Sequence, residues 1–209
     1  MKLCFSADWH VSNFGPDQQG PITARGADCL RVIDRLYATP GVDKHFGLGD
    51  IYNRDKPPPG LVRGVQDRIT ADTYMIVGNH DQSSTEPSHH ALAAMVKHAT
   101  IVEDTLVVKC GSAEVGLVGF RQRDEVVSKL AQLKWGDSKY RIVGFHLGIA
   151  DESTPEFLRN TRDSIGLTEI VGVCKSYGIT HVFAGNWHNP EDWELNGVKV
   201  CQVGGLIPQ

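Results

Sequence analysis

The chain has 209 residues, and its 21 Lys and Arg against 25 Asp and Glu give a formal net charge of −4. This balance excludes a polybasic domain that binds nucleic acid by bulk electrostatic attraction. The 41% hydrophobic content is typical of a globular domain and excludes a disordered chain. No apolar run approaches the roughly 20 residues of a membrane span, and Asp8 interrupts the first apolar stretch too early for a signal peptide. The five cysteines are widely scattered, so we expect reduced thiols in a cytoplasmic protein.

Short apolar runs alternate with segments of helical periodicity through the first half of the chain. Ala27, Leu30 and Ile33 recur at the spacing of one helix face. The proline-rich segment from Pro57 to Gly60 is expected to be a loop. In chain order the predicted elements are a strand at Leu3–Ala7, a helix at Ala24–Tyr37, strands at His45–Leu48 and Tyr74–Val77, and a helix at Ala91–His98.

The second half contains more strands. Its predicted elements are strands at Val102–Val108 and Glu114–Phe120, a helix at Asp124–Trp135, a strand at Arg141–Phe145, a helix at Thr168–Tyr177, and strands at Thr180–Phe183 and Val198–Val203. The alternation of strands and helices, followed by strand pairs, predicts an α/β sandwich of two sheets with helices outside. Since no linker or repeat divides the chain, we expect one domain over residues 1–209.

Metal-ligating side chains follow the ends of five predicted strands. These segments are Asp8-Trp9-His10, Gly49-Asp50, Asn79-His80-Asp81, His146 and Asn186-Trp187-His188. In open α/β sheets, ligands gather outside the carboxyl ends of the strands, so the five segments can meet in one cleft. Carboxylate, imidazole and amide groups are ligands that suit Mn²⁺, Fe, Zn²⁺ or Mg²⁺.

Each segment alone has an ordinary structural explanation. A single Asp-x-His pattern is common, and Gly49-Asp50 reads equally well as a turn. His146 follows the apolar Val143-Gly144-Phe145 and could be a core histidine with satisfied hydrogen bonds. The joint placement of all five segments at strand ends is what favours a metal centre.

In order and composition these motifs resemble the calcineurin-like metallophosphoesterases, whose pattern is D-x-H, GD, GNH[D/E], a lone H and GHxH. The resemblance is closest to the Mre11/SbcD-like nuclease branch. It is carried there by Asp8-Trp9-His10, by the segment from Leu48 to Tyr52 with Lys56-Pro57 after it, and by the segment from Val203 to Pro208.

The resemblance implies a four-layer βαβ sandwich. Full-size nucleases of this type continue into a capping domain, but only Ile207-Pro208-Gln209 remain here, so we expect a single catalytic domain without a capping domain. The resemblance also implies two divalent metal ions, with Mn²⁺ expected and Mg²⁺, Fe or Zn²⁺ as alternatives. The implied ligands are Asp8, His10 and His188 on one metal, Asn79 and His146 on the other, and Asp50 bridging both. It further implies that a metal-activated water attacks phosphorus while His80 gives a proton to the leaving oxygen. Because carboxylates commonly orient neighbouring imidazoles, we expect Asp81 to orient the His80 ring and keep it cationic.

Two positions depart from the family pattern. Asn186 stands where the first histidine of GHxH is a ligand of the second metal, so its weaker amide oxygen predicts a weaker second site. Asn53 stands where many nucleases of the branch have a histidine that handles the DNA strand. Read with its neighbour, Asn53-Arg54 resembles the phosphate-gripping Asp-Arg of related phosphatases, although Arg54 could also be a solvated loop charge.

The leading interpretation is a metal-dependent phosphodiesterase, a DNA exonuclease of the Mre11/SbcD-like type. A phosphodiesterase or phosphatase for small molecules or nucleotides is one alternative, and a non-catalytic metal-binding domain is another. Six basic residues between Arg121 and Arg141 could position a DNA strand or simply form a solvated face. Trp9 and Trp187 flank ligands and are better explained as core residues than as base-stacking groups. A homodimer or an ATPase partner is compatible with the resemblance, and no membrane partner is expected.

Overall fold

The computed structural model of the chain describes residues 1–13, 22–83 and 89–207. The strands are β1 Leu3–Ser6, β2 Lys44–Leu48, β3 Thr73–Ile76, β4 Thr100–Val102, β5 Thr105–Cys110, β6 Ala113–Val118, β7 Tyr140–Phe145, β8 Gly148–Ala150, β9 Ser164–Gly166, β10 His181–Ala184, β11 Glu191–Leu195 and β12 Val198–Gln202. The α-helices are α1 Ala24–Tyr37, α2 Pro59–Gln66, α3 Arg123–Gln132, α4 Glu156–Arg159 and α5 Leu167–Ser176, and a 3₁₀ helix covers Ala91–Met95.

Two sheets form the framework. The first contains four parallel strands in the order β1-β2-β3-β4. The second contains six strands in the order β11-β12-β10-β7-β6-β5, in which the four inner strands are parallel and the two edge strands antiparallel. Strands β8 and β9 form a separate parallel pair. Because β1, β2, β3, β7 and β10 are all parallel members of these sheets, their carboxyl ends carry the loops that build the site.

Three hydrophobic clusters show how the layers pack. Phe46 and Leu48 of the first sheet pack with Val115 and Leu117 of the second sheet, so one cluster lies between the sheets. A second cluster joins α1 and α2 to the first sheet, and a third joins α3 and α5 to the second sheet. The arrangement is helices, sheet, sheet, helices, which confirms the predicted α/β sandwich.

Helix α1 has the predicted bounds because its local signals agree. Thr23 is the N-cap, and its side-chain oxygen accepts a hydrogen bond from the Gly26 N–H. Cys29, Leu30 and Ile33 are buried on one face, which matches the spacing of the apolar residues. Such a helix needs no long-range information to be recognised.

Several predicted elements were wrong in extent. The predicted strand Val102–Val108 is two strands in different sheets, because the exposed Glu103-Asp104 pair is where the chain crosses from β4 to β5. The predicted loop ends early, since α2 begins at Pro59, and proline is well tolerated in the first helical turn. The predicted helix Ala91–His98 is the shorter 3₁₀ helix Ala91–Met95. The elements β8, α4, β9 and β11 were not predicted.

Among the described residues, no helix combines the length and apolarity that a bilayer crossing requires.

Candidate metal centre

The five predicted segments meet at one edge of the sandwich. Asp8 follows β1, Asp50 follows β2 and Asn79 follows β3, while His146 follows β7 and Asn186 follows β10. The first two loops are joined by their backbones, since Asp8 N donates to Gly49 O over 3.1 Å and His10 N donates to Asp50 O over 2.9 Å. The parallel topology therefore gathers side chains as distant in the chain as those of His10 and His188, which lie 178 positions apart.

One group of candidate ligands consists of Asp8, His10 and His188, whose ligand atoms all lie within 4.8 Å of one another. The Nε2 atoms of His10 and His188 are 3.1 Å apart. Asp8 Oδ1 lies 3.8 Å from His10 Nε2 and 3.7 Å from His188 Nε2. Two imidazoles and a carboxylate thus converge on one point, as the sequence predicts for the first metal.

The second group consists of Asp8, Asp50 and His146 and meets the same 4.8 Å limit. His146 Nε2 lies 3.3 Å from Asp50 Oδ2 and 2.9 Å from Asn79 Oδ1. Asp50 Oδ2 is also 3.7 Å from His10 Nε2, so this carboxylate faces both groups. That Asp50 bridges two metals stays a prediction.

The donor set fits divalent cations. Asp8 is fully buried, and its Oδ1 atom has no hydrogen-bond partner among the residues that the structure describes, although two imidazole nitrogens face it. A buried carboxylate oxygen without a partner is costly, and a cation bound between these groups would remove that cost. Imidazole with carboxylate and amide oxygen is the chemistry that binds Mn²⁺, Fe and Zn²⁺.

Burial sets the protonation of these groups. It raises the pKa of Asp8 to about 7 and lowers the pKa of His10 to about 4. Burial also opposes a charge on His146 and on Asp50, but their mutual attraction raises the pKa of His146 to about 9 and lowers the pKa of Asp50. His10 is therefore a neutral imidazole near pH 7, the form that ligates a metal.

The backbone at the candidate ligands is strained. Within the described ranges, non-glycine residues with positive φ are Asp8 at 51°, His10 at 44°, Asp50 at 52°, Asn186 at 80° and Asn196 at 53°. Four of these five belong to the predicted metal centre. Non-glycine residues rarely adopt this region, and such strain concentrates at functional sites, where the surrounding structure maintains it.

Glycines next to the ligands allow the loops to approach. A Cβ atom on Gly49, whose φ is +88°, would lie 2.6 Å from His146 Nδ1. A Cβ atom on Gly78 would lie 2.2 Å from Asp50 N. Neither distance is sterically possible. A glycine at position 49 is therefore required for the loop after β2 to approach His146, and a glycine at position 78 is required for the loop after β3 to approach Asp50.

His80 lies at the exposed rim of the cluster. Its ring centroid is 4.9 Å from that of His10, with the two rings nearly perpendicular. Its backbone N–H donates to Asp50 Oδ1 over 2.9 Å. An exposed imidazole beside the ligands can reach a bound substrate, which is what the predicted proton donor requires.

The contacts of Asp81 differ from the predicted ones. Its side chain is fully buried, and its oxygens accept hydrogen bonds from the backbone N–H groups of Gly78, Ile51 and Tyr52, over 3.0, 3.2 and 2.9 Å respectively. Burial raises its pKa to about 7. Asp81 therefore joins the loop after β3 to the loop after β2, and the expectation that it orients the His80 ring is corrected to this positioning role.

Asn186 supports the centre through its backbone and is held through its side chain. Its N–H donates to Asp8 Oδ2 over 3.0 Å, and its Nδ2 donates to the backbone oxygen of Asp163 over 2.9 Å. The second bond fixes the amide plane. Ligation of a metal by Asn186 Oδ1 stays a prediction.

Arg54 is half-buried in the loop after β2. Within the described ranges, no hydrogen bond or ion pair connects its guanidinium to the candidate ligands, so its phosphate-binding role also stays a prediction.

Trp9 is 1% exposed and its Nε1 donates to Ser6 Oγ over 3.0 Å. This burial confirms that Trp9 is a core residue.

Gln202 is a supporting residue that sequence reasoning missed. It is 1% exposed; its Oε1 accepts from Ile149 N over 2.8 Å, and its Nε2 donates to Gly185 O over 2.8 Å and to Trp187 O over 3.3 Å. It therefore holds the segment that carries His188. No local signal marks a glutamine in a strand as such a support, because its partners lie in distant segments of the chain.

A family comparison agrees with this geometry. Residues 1–190 match the family model described as calcineurin-like phosphoesterase. The chain belongs to this family. The family consists of metal-dependent phosphoesterases, and the candidate ligand groups are where the family's metals would bind. No curated protein gives a significant match.

Solved structures with the same fold have diverse activities. A purple acid phosphatase from yellow lupin (Lupinus luteus) is 14% identical, with a TM-score of 0.61 over 97% of this chain and 43% of that chain. A putative 5′-nucleotidase from Staphylococcus aureus is 11% identical, with a TM-score of 0.60 over 98% of this chain and 48% of that chain. A phosphopantetheinyl hydrolase from Mycobacterium tuberculosis is 13% identical, with a TM-score of 0.57 over 98% of this chain and 90% of that chain. The chain spans less than half of the first two proteins, and at these identities the likeness shows the fold alone.

Proposed function

We propose that the chain is a dinuclear metal-dependent phosphodiesterase that degrades DNA from an end. The observation that carries this proposal is a pair of cavities, one lined by the candidate ligand His188 and one lined by Phe120, whose ring packs near the ring of the candidate ligand His146. A cavity of about 440 Å³ is lined by Asn186, Trp187 and His188. A second cavity of about 480 Å³ is lined by Val77 and Phe120, and the Phe120 ring centroid lies 6.0 Å from that of His146.

This arrangement favours a diester over a monoester. A phosphate monoester extends from phosphorus in one direction and needs one cavity for its organic group. A diester extends in two directions, so the cavity lined by His188 and the cavity lined by Phe120 would give space to both substituents. The Mre11/SbcD-like features of the sequence support DNA as the diester.

In the proposed reaction, some residues would bind the metals and another would donate a proton. Asp8, His10 and His188 would hold one metal, and His146 and Asn79 the other, with Asp50 between them. Bound metals would supply positive charge at the phosphate and an activated water as nucleophile. His80, exposed beside His10, would donate a proton from its imidazole to the leaving oxygen.

A small phosphodiester is a second candidate, and the charges of the surface favour it. Arg121 and Lys129 both pair with Asp104, over 3.4 and 2.7 Å. Arg123 pairs with Glu169. Three of the six basic residues that could contact a DNA strand are therefore ion-paired with two acidic side chains, which offset two of the three positive charges. Sequence-independent affinity for DNA depends on such charges.

A substrate panel separates the candidates. Purified protein with Mn²⁺, Mg²⁺, Zn²⁺ or Fe²⁺ would be tested on linear and circular DNA, bis-p-nitrophenyl phosphate and p-nitrophenyl phosphate. We expect loss of linear DNA before circular DNA, and hydrolysis of the diester in preference to the monoester. Diester hydrolysis without action on DNA would favour the small-molecule candidate. Metal binding without any hydrolysis would contradict both and leave a non-catalytic metal-binding domain.

Replacement of the proton donor gives the mechanistic test. His80→Ala should retain metal binding but lose about 10²- to 10⁴-fold in kcat, because general acid catalysis contributes that much. The loss should be smaller for a substrate with a p-nitrophenolate leaving group, which needs little protonation. Equal losses on good and poor leaving groups would contradict the role given to His80.

A further inference from the structure

The cavity beside His188 contains two tryptophans. Trp187 and Trp193 both line it, with Ser153, Thr154 and Asn189 among the polar residues of its wall. Both indoles are half-buried, so each has part of its surface in the cavity. We name this cavity the Trp cavity.

Trp193 is fixed by an acidic residue in the neighbouring loop. Its Nε1 donates to Asp151 Oδ2 over 3.2 Å. Asp151 Oδ1 accepts from Ser153 N over 2.9 Å, from Ser153 Oγ over 2.7 Å and from Thr154 N over 3.1 Å. One carboxylate therefore locks the indole and the Ser-Thr loop together into a rigid wall.

Trp187 is held by Gly148 and Gln202. A Cβ atom on Gly148 would lie 2.2 Å from Trp187 Cε2, so the indole lies directly on a glycine backbone. Buried Gln202 donates to Trp187 O. Because both indoles are already held in place, a ligand would lose little free energy in ordering them.

The chemistry of the wall defines the occupant. Of the described residues that line the Trp cavity, none is Lys or Arg, and Glu191 is acidic. A second phosphate is therefore disfavoured here. Indole surfaces stack on flat heteroaromatic rings, while the Ser153 and Thr154 hydroxyls and the Asn189 amide offer both donors and acceptors to a polar ring edge.

We propose that the Trp cavity binds the nucleobase of a nucleotide esterified to the phosphorus that is cleaved. This inference rests on the proposed phosphodiesterase function and deepens it, because it assigns substrate recognition to Trp187 and Trp193. Position supports the assignment, since the same cavity is lined by the candidate metal ligand His188. A base held there leaves its phosphate next to the metal centre.

Binding can be tested independently of turnover. With ¹⁵N-labelled tryptophan, the indole resonances of Trp187 and Trp193 should shift on addition of thymidine, a nucleoside without phosphate. Those of Trp9 and Trp135 should not, because Trp9 is 1% exposed in the core and Trp135 packs against Gly116. Phenylalanine variants assign the four signals. Absence of shifts at both Trp187 and Trp193 would overturn the proposal.

Turnover supplies the second test. Thymidine 5′-(p-nitrophenyl phosphate) and methyl p-nitrophenyl phosphate share a leaving group and differ in the nucleoside. In Trp193→Ala the ratio of their kcat/KM values should fall about tenfold, the ordinary effect of removing one stacking side chain. Trp193→Phe should restore most of the ratio, which guards against a folding defect. The matched control Trp135→Phe should keep the wild-type ratio.

The two tests separate the two proposals. Indole shifts with no hydrolysis of any phosphodiester would refute the proposed function and retain the nucleobase site. Hydrolysis with an unchanged substrate ratio in Trp193→Ala would refute the nucleobase site and retain the proposed function.

Discussion

Replacement of Asp81 tests how the two metal-binding loops are held together. In Asp81→Ala three buried backbone N–H groups, those of Gly78, Ile51 and Tyr52, lose their acceptor. An unpaired buried donor costs about 1–3 kcal/mol, so the variant should be at least about 3 kcal/mol less stable. In Asp81→Asn one oxygen can still accept, but the amide NH₂ must face at least one of these donors, and about 1–2 kcal/mol should be lost.

Metal affinity should fall in both variants. Asp50 and Asn79 lie on the loops that Asp81 joins, and removal of a residue that supports ligands typically costs about 10- to 100-fold in metal affinity. Urea unfolding and calorimetric Mn²⁺ titration would measure the two effects. The matched control is Asp72→Asn, which removes an exposed carboxylate paired with Lys44 and should change stability by less than about 1 kcal/mol.

One result would refute this reasoning. If Asp81→Asn matched the control in stability and bound Mn²⁺ as tightly as the wild type, yet lost kcat, Asp81 would act on the catalytic imidazole. That is the role expected from the ordinary carboxylate–imidazole relation, and the backbone contacts of Asp81 would then be incidental.

Three further predictions concern the metals and the Trp cavity. Asn186→His should tighten the second metal, yet lower the stability of the metal-free protein because the position has a φ of 80°; unchanged affinity in calorimetry would place residue 186 outside the metal's ligands. Saturation with Mn²⁺ at about 100 times its Kd should add about 2.7 kcal/mol and raise Tm by about 5–10 °C, and this rise should be absent in Asp8→Asn. Asp151→Asn should destabilise the protein more at about pH 6 than at about pH 3. Hydrogen bonds from Ser153 lower the pKa of Asp151 to about 2, so its contribution is complete above the unfolded value near 4 and is lost as the pH falls towards 2. A difference that grows on acidification would contradict the last prediction.

The sequence was sufficient for elements whose signals are local. Helix α1 has an N-cap residue, a periodic apolar face and a Pro-Gly stop, and its bounds were predicted correctly. The candidate ligands were also recognisable, because each follows a strand end with a characteristic neighbour, and parallel topology brings strand ends together. Asp8, His10, Asp50, His146 and His188 accordingly meet in the structure.

Sequence patterns failed where the outcome depends on distant partners. The apolar run from residue 102 to 108 has one continuous β pattern, yet β4 pairs with β3 and β5 pairs with β6, in different sheets. The choice is made by which neighbouring strand offers free backbone groups, and that information lies elsewhere in the chain.

The sequence by itself thus determined the family pattern, the fold class and the identity of the candidate ligands, since these follow from residue type and order. The tertiary structure decided what supports and surrounds them. Asp81 could bond a neighbouring ring or a distant backbone, and only the buried approach of two loops selects the backbone N–H groups. Likewise, Trp187 and Trp193 lie in separate segments, and they line one cavity because Asp151 and Gln202 hold those segments in place. Side-chain partners of this kind are fixed by packing, which no local pattern contains.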